Sequence, residues 1–237
     1  MKYKKIKENK EFLIINKPSG LIVHRAGHIK EESLADQLLK KYPKLEKVGE
    51  DPSRPGIVHR LDKLVSGLMV IPKTQESFNN LKKQFQERQI TKVYTALVYG
   101  RIEADEGEID FPIKRSSQGN KMAAIPKTVK KETNPDGRQA VTEFEVIKKF
   151  INYTLLKVKI KTGRTHQIRV HLFAFGHSIV GDDLYSAKKT REKNKKLGLD
   201  RIFLAATKLG FKDLDGVYQE FEIGLPEELE EVLGRVK

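Results

Sequence analysis

Leu155-Leu156-Lys157-Val158-Lys159-Ile160-Lys161-Thr162-Gly163-Arg164-Thr165-His166-Gln167-Ile168-Arg169-Val170-His171 is the stretch whose reading sets the fold class. Its first half alternates. Leu156, Val158 and Ile160 fall on one side of an extended chain and Lys157, Lys159 and Lys161 on the other, the period of a strand with one buried face. Its second half changes period. After the Thr162-Gly163-Arg164 turn, Thr165 to Phe175 reads as a helix, with Ile168, Leu172 and Phe175 on the buried side and Gly176 as the stop. Period-2 pattern also runs from Lys92 to Gly100 and across Arg138 to Thr162. Strands and helices mixed in this way predict an α+β chain. The three lysines stand ~7 Å apart along their strand, and a solvated sheet face is the preferred reading over an RNA contact.

Working outward, Glu11 to Ile15 reads as a strand ending in a turn at Pro18 and Gly20, with a second short strand at Leu21 to His24. Glu31 to Tyr42 is helical, with Leu34, Leu38 and Leu39 in register and Pro43 ending it. Gly67 to Ile71 is a continuous apolar run suited to a buried strand. Thr74 to Gln86 is a helix that Thr74 can cap, with Phe78, Leu81 and Phe85 inward. Phe203 to Leu209 and Val217 to Ile223 are the last strands, turning at Asp215-Gly216, and Pro226 to Leu233 is a short acidic helix. Lys188 to Lys196 holds six cations and no apolar residue, which predicts a flexible loop. With no internal repeat and no linker, residues 1–237 are expected to form a single domain.

The chain has 237 residues, 46 Lys+Arg against 32 Asp+Glu, and a net charge of +14. That balance favours an anionic partner, nucleic acid first, although a membrane surface has the same electrostatic footprint. The longest apolar runs fall far short of the ~20 residues of a membrane span, and the basic start has no apolar core behind it. Absence of cysteine excludes disulfides, thiolate catalysis and cysteine-based zinc sites. The expected compartment is the cytoplasm.

Within this basic chain, His59-Arg60-Leu61-Asp62-Lys63, followed by Ser66-Gly67-Leu68, sets one carboxylate between two cations. Asp51, in a proline-rich loop, is the nearest other candidate. An acidic group kept between cations is poorly suited to hold a polyanion by charge. It is suited to do chemistry on one that the neighbouring cations hold. Arg164, in a Gly-Arg turn at a helix start, could keep such a carboxylate ionised and aimed; a structural Asp–Arg bridge is the plainer alternative. Tyr94 could stack on a base or face the core, as Tyr99 does in the plainer reading.

Asn16-Lys17-Pro18-Ser19-Gly20, the Asp62 block, Lys92-Val93-Tyr94-Thr95-Ala96-Leu97-Val98-Tyr99-Gly100 and Thr162 to His171 together resemble, in order and spacing, the RluA-type pseudouridine synthases. The resemblance runs from about residue 11 to residue 223. It implies a long mixed, mostly antiparallel sheet with flanking helices and an RNA cleft, and RNA (ribosomal or transfer) as partner, with no DNA or membrane involved. It implies catalytic roles for Asp62 as nucleophile, Arg164 as its orienting cation and Tyr94 as holder of the flipped base. Arg60 would fill the gap left by the extruded nucleotide, with Lys17, Lys92 and His59 at the substrate-binding edge. By itself, the pattern reads His59 and His166 as satisfied hydrogen-bonding residues. Cleaving N1–C1′ and rejoining through C5 conserves oxidation state and consumes no water, so neither cofactor nor metal is expected.

Two positions depart from the family pattern. Val65 stands where a threonine is usual, and Leu204-Ala205-Ala206 replaces a Leu-His-Ala block. Only fifteen residues precede the Asn-Lys-Pro turn, so no upstream S4-like domain is expected, and the protein is expected to act as a monomer. Kinase and β-lactamase echoes fail on motif order, and His166 and His171 are spaced wrongly for a helical metal pair. The competing functions are a non-catalytic RNA-binding or chaperone protein, and a uracil-releasing glycosylase. The latter would want a second carboxylate, which the sequence does not offer.

Overall fold

The computed structural model describes residues 1–25, 31–117, 119, 121–126 and 137–236. The chain packs into two compact units, Met1–Lys92 with Ala205–Gly224, and Val93–Leu204 with the chain from Leu225 onward.

In the first unit β1 (Lys4–Glu8), β2 (Phe12–Lys17) and β3 (Ser66–Pro72) pair antiparallel in that order. β3 then runs parallel to β10 (Leu204–Lys212), which pairs antiparallel with β11 (Tyr218–Glu222). Every residue of β3 is buried, which is why its sequence is an unbroken apolar run rather than an alternation. At its start Gly67 has φ +125°, and a side chain there would collide with the Ala206 backbone. Glycine is therefore what lets β3 and β10 approach, directly after the Asp62 loop.

α2 (Gln75–Gln86) starts where Thr74 Oγ1 accepts from the Ser77 amide at 3.1 Å, a cap worth about 1 kcal/mol. Its Leu81 packs with Phe12, Ile14, Leu68, Val70, Leu209 and Phe211. α1 (Leu34–Lys41) opens with a reciprocal Ser33–Asp36 capping box. Residues 21–24, expected as a strand, join no ladder. The Ile22 and Val23 carbonyls instead accept the Leu34 and Ala35 amides of the first turn of α1, at 2.8 and 3.0 Å.

In the second unit β4 (Thr91–Tyr99, whose first two residues lie in the first unit), β9 (Tyr153–Ile160), β8 (Val141–Lys149) and β5 (Glu106–Asp110) pair antiparallel in that order. β6 (Ile113–Arg115) and β7 (Met122–Ala124) form a separate antiparallel pair. Lys157 of β9 meets Glu145 across the strands at 2.8 Å, and Lys161, just past the strand, pairs with Glu143 at 2.6 Å and Glu108 at 3.4 Å. Ion pairs thus lace part of this sheet face.

α3 (Gln167–Ala174), α4 (Lys188–Leu197) and α5 (Glu227–Arg235) complete this unit. α4 corrects the expectation of a flexible basic loop. It is tied down by a polar residue, Asn194, which no search for apolar periodicity can find. Its Oδ1 accepts from the Tyr99 hydroxyl at 2.8 Å and the Gly181 amide at 2.9 Å, and its Nδ2 donates to Asp183. The α+β class and the mixed, mostly antiparallel sheet with flanking helices stand as expected. Among the described residues no helix is long and apolar enough to cross a membrane.

Candidate active site

Asp62 is half-buried on a loop pinned on both sides, by Leu61 at 4% exposure and Val65 at 2%. The Val65 amide closes the turn by donating to the Asp62 carbonyl at 3.1 Å. Val65, where the family carries threonine, thus contributes an apolar anchor and a backbone bond.

The Asn16–Gly20 turn straps this loop from outside. The Gly20 amide donates to the Lys63 carbonyl at 2.7 Å, and Ser19 Oγ donates to the Leu64 carbonyl at 2.9 Å. Lys17 has no exposed surface, and its ammonium donates to the carbonyls of Pro18 (2.9 Å), Leu21 (2.8 Å) and Lys63 (3.3 Å). An ammonium committed to three carbonyls in the interior positions the Asp62 loop. This geometry does not fit the phosphate contact expected for Lys17.

Arg60 is exposed, and its guanidinium donates to His24 Nε2 at 3.3 Å. His59 turns inward. Its Nε2 accepts the Val70 amide at 3.1 Å, and its ring stacks on Phe85 with centroids 4.8 Å apart. Desolvation first, and the Lys92 charge second, hold its pKa down at about 3. His59 is thus a neutral hydrogen-bond acceptor pinning β3. Lys92 lies 5.5 Å from the Phe85 ring centroid, and burial lowers its pKa to about 8. It keeps its charge near neutrality.

In the second unit, Tyr94 lies on β4 at 8% exposure, opposite Val158 of β9. Arg164 sits in a turn knotted by Gln167, a buried residue that sequence reasoning passed over. The Gln167 Oε1 accepts from Thr162 Oγ1 at 2.6 Å and from the Arg164 amide at 3.1 Å; its Nε2 donates to the Val141 carbonyl at 3.0 Å. His166 follows with φ +55°, a left-handed start to α3, and its Nδ1 lies 2.9 Å from the Tyr185 hydroxyl. Arg164 Nε donates to the Gln139 carbonyl at 3.3 Å. Behind the turn Arg169 and Asp182 form a buried two-pronged pair, at 2.7 and 3.0 Å, and Asp182 also accepts the Leu184 and Tyr185 amides.

The first unit therefore gathers Asp62, Lys17, Arg60, His59 and Lys92, while Tyr94 and Arg164 belong to the second. The sequence signal for Gln167 and Asp182 was only their place beside glycine turns. Among the described residues no cluster of His, Asp and Glu could hold a metal ion.

The architecture is shared with a solved structure titled human RNA pseudouridylate synthase domain containing 4. The TM-score is 0.74 at 26% identity, covering 99% of this chain and 94% of that one. A family model described as RNA pseudouridylate synthase matches residues 11–174. An uncharacterized RNA pseudouridine synthase of Aquifex aeolicus is 40% identical over 232 residues, covering 96% of this chain and 71% of that protein. Ribosomal large subunit pseudouridine synthase D of Yersinia pestis is 35% identical over 238 residues, covering 97% and 69%. The chain belongs to the RNA pseudouridylate synthase family, RluA type, isomerases that convert uridine to pseudouridine in RNA.

Proposed function

We propose that this protein isomerises specific uridines in ribosomal or transfer RNA, with Asp62 as the nucleophile. The likeness to a large-subunit enzyme supports ribosomal RNA. The observation that carries the proposal is the presentation of Asp62: one half-buried carboxylate, between Arg60 and Lys63, on a loop held by Leu61, Val65 and two bonds from the Ser19–Gly20 turn.

In this reading the Asp62 carboxylate attacks C1′ as the N1–C1′ bond breaks and the electron pair stays on the uracil. The base turns, C5 attacks C1′, the carboxylate leaves, and the C5 proton is given up while N1 takes one from solvent, so the atoms balance without a cofactor. Tyr94 holds the freed ring by its face, and Arg164 keeps Asp62 ionised and aimed. Arg60 fills the space left by the extruded nucleotide, for which its exposed guanidinium is suited. Lys92 supplies a cation at the substrate edge. Residues 1–237 act as one catalytic domain, as a monomer in the cytoplasm.

Mapping pseudouridines in RNA from cells with and without the gene tests this directly. One or more positions should vanish in its absence. An unchanged map would favour the non-catalytic RNA-binding reading.

A further inference from the structure

We propose that the outward face of α4 is a docking surface for the phosphate backbone of the RNA, a proposal that rests on RNA being the substrate. With 3.6 residues per turn and Asn194 buried at 4% exposure, Lys188, Lys189 and Lys196 fall within about 60° of the direction opposite Asn194, and Lys195 about 80° from it. All four are exposed. They form two pairs, one at each end of the helix, ~10 Å apart. Arg191 and Lys193 flank this face. Lys193 lies 5.7 Å from the Tyr99 ring centroid, and Arg191 reaches the Ser186 carbonyl at 3.5 Å.

Two features mark α4. Many lysines elsewhere are matched by carboxylates, Lys40 by Glu32, Lys63 by Glu31, Lys73 by Glu8, Lys149 by Asp105, Lys157 by Glu145 and Lys208 by Glu220, although among the described residues those of the amino-terminal segment, Lys2, Lys4, Lys7 and Lys10, are not. Among the described residues no carboxylate pairs with a cation of α4. The second feature is helix polarity. α4 begins with Lys188 and Lys189, with no side-chain cap and no acidic residue in its first turn, so these cations oppose the positive end of the helix dipole. Such a start weakens the helix alone and adds its own field to the lysines, and an anion seated there relieves both. A membrane is a poor match, because the one apolar side chain of α4 is Leu197, at its end.

The test uses the full-length protein and an in vitro transcript of large-subunit ribosomal RNA, with binding followed by fluorescence anisotropy against salt. Counterion release gives a log–log slope of about −0.7 per phosphate on single strands and about −0.9 on duplex. Replacing Lys188, Lys189, Lys195 and Lys196 by Ser is expected to make the slope shallower by roughly 2 to 4 units. A charge-matched variant, with Lys2, Lys4, Lys7 and Lys10 replaced by Ser, should change it less. Equal changes in both variants would mean that RNA reads net charge alone, and would overturn the proposal. So would an unchanged slope in the α4 variant, or an α4 effect seen on phosphatidylserine vesicles but not on RNA. Failure of the wild-type protein to form pseudouridine in any transcript would instead overturn the parent reading, since the slopes are read without turnover.

Discussion

Replacing Lys17 by Met separates two roles that the sequence alone leaves mixed, a phosphate contact and a strut beneath the nucleophile. Methionine keeps most of the length and volume and removes only the ammonium. Three carbonyls then lose a donor, of which Lys63 O retains the Gly20 amide at 2.7 Å. Two acceptors, the part-buried Pro18 O and the buried Leu21 O, are left behind, costing up to about 1–3 kcal/mol each. Relief from burying a charge offsets part of this, so the expected net loss is about 3 kcal/mol. For a chain of this size that corresponds to a melting temperature roughly 6–12 °C lower. Thermal unfolding by circular dichroism, read beside RNA affinity at several salt concentrations, makes the comparison. The strut predicts a lower melting point with a salt slope unchanged from wild type. A wild-type melting point with a slope shallower by nearly one unit would refute the reasoning and restore Lys17 as a phosphate contact.

His59 titrates at about 3 when folded against 6.5 for an ordinary histidine. Between those values the unfolded chain takes up a proton that the folded chain refuses, so its contribution is complete above about pH 6.5 and is lost as pH falls. Melting temperatures from pH 7 to 5 should decline in the wild type and less in His59→Asn, and parallel profiles would show that His59 is not buried neutral. Tyr94→Ala should weaken substrate capture by ~1–3 kcal/mol, the worth of one stacked base, while Tyr94→Phe should bind normally. Wild-type affinity and rates in both variants would return Tyr94 to the core.

Where burial follows from apolar periodicity, the sequence was a sufficient guide. The alternation of Leu156, Val158 and Ile160 became β9, the run from Gly67 to Ile71 became β3, and Thr74 capped α2. Where polar groups do the holding, it was not. Asn194 secures α4 with hydrogen bonds, and residues 21–24 give their carbonyls to a helix start, so neither follows from hydropathy. At the candidate site, block order sufficed to single out Asp62. The inward turn of His59 and the interior ammonium of Lys17 depended on backbone carbonyls and amides far along the chain. Gln167 escaped notice because its four partners lie on two separated segments, 141–142 and 162–164.

The central claim is that Asp62 does the chemistry. Asp62→Asn keeps the size and the hydrogen-bonding shape of the side chain and removes the nucleophilic carboxylate. Pseudouridine formation in the transcript that the wild-type protein modifies, measured with RNA affinity on the same preparation, tests the claim most directly. The account predicts no detectable pseudouridine from Asp62→Asn, with affinity within about twofold of wild type. Conversion by the variant at a rate near that of the wild type would contradict it.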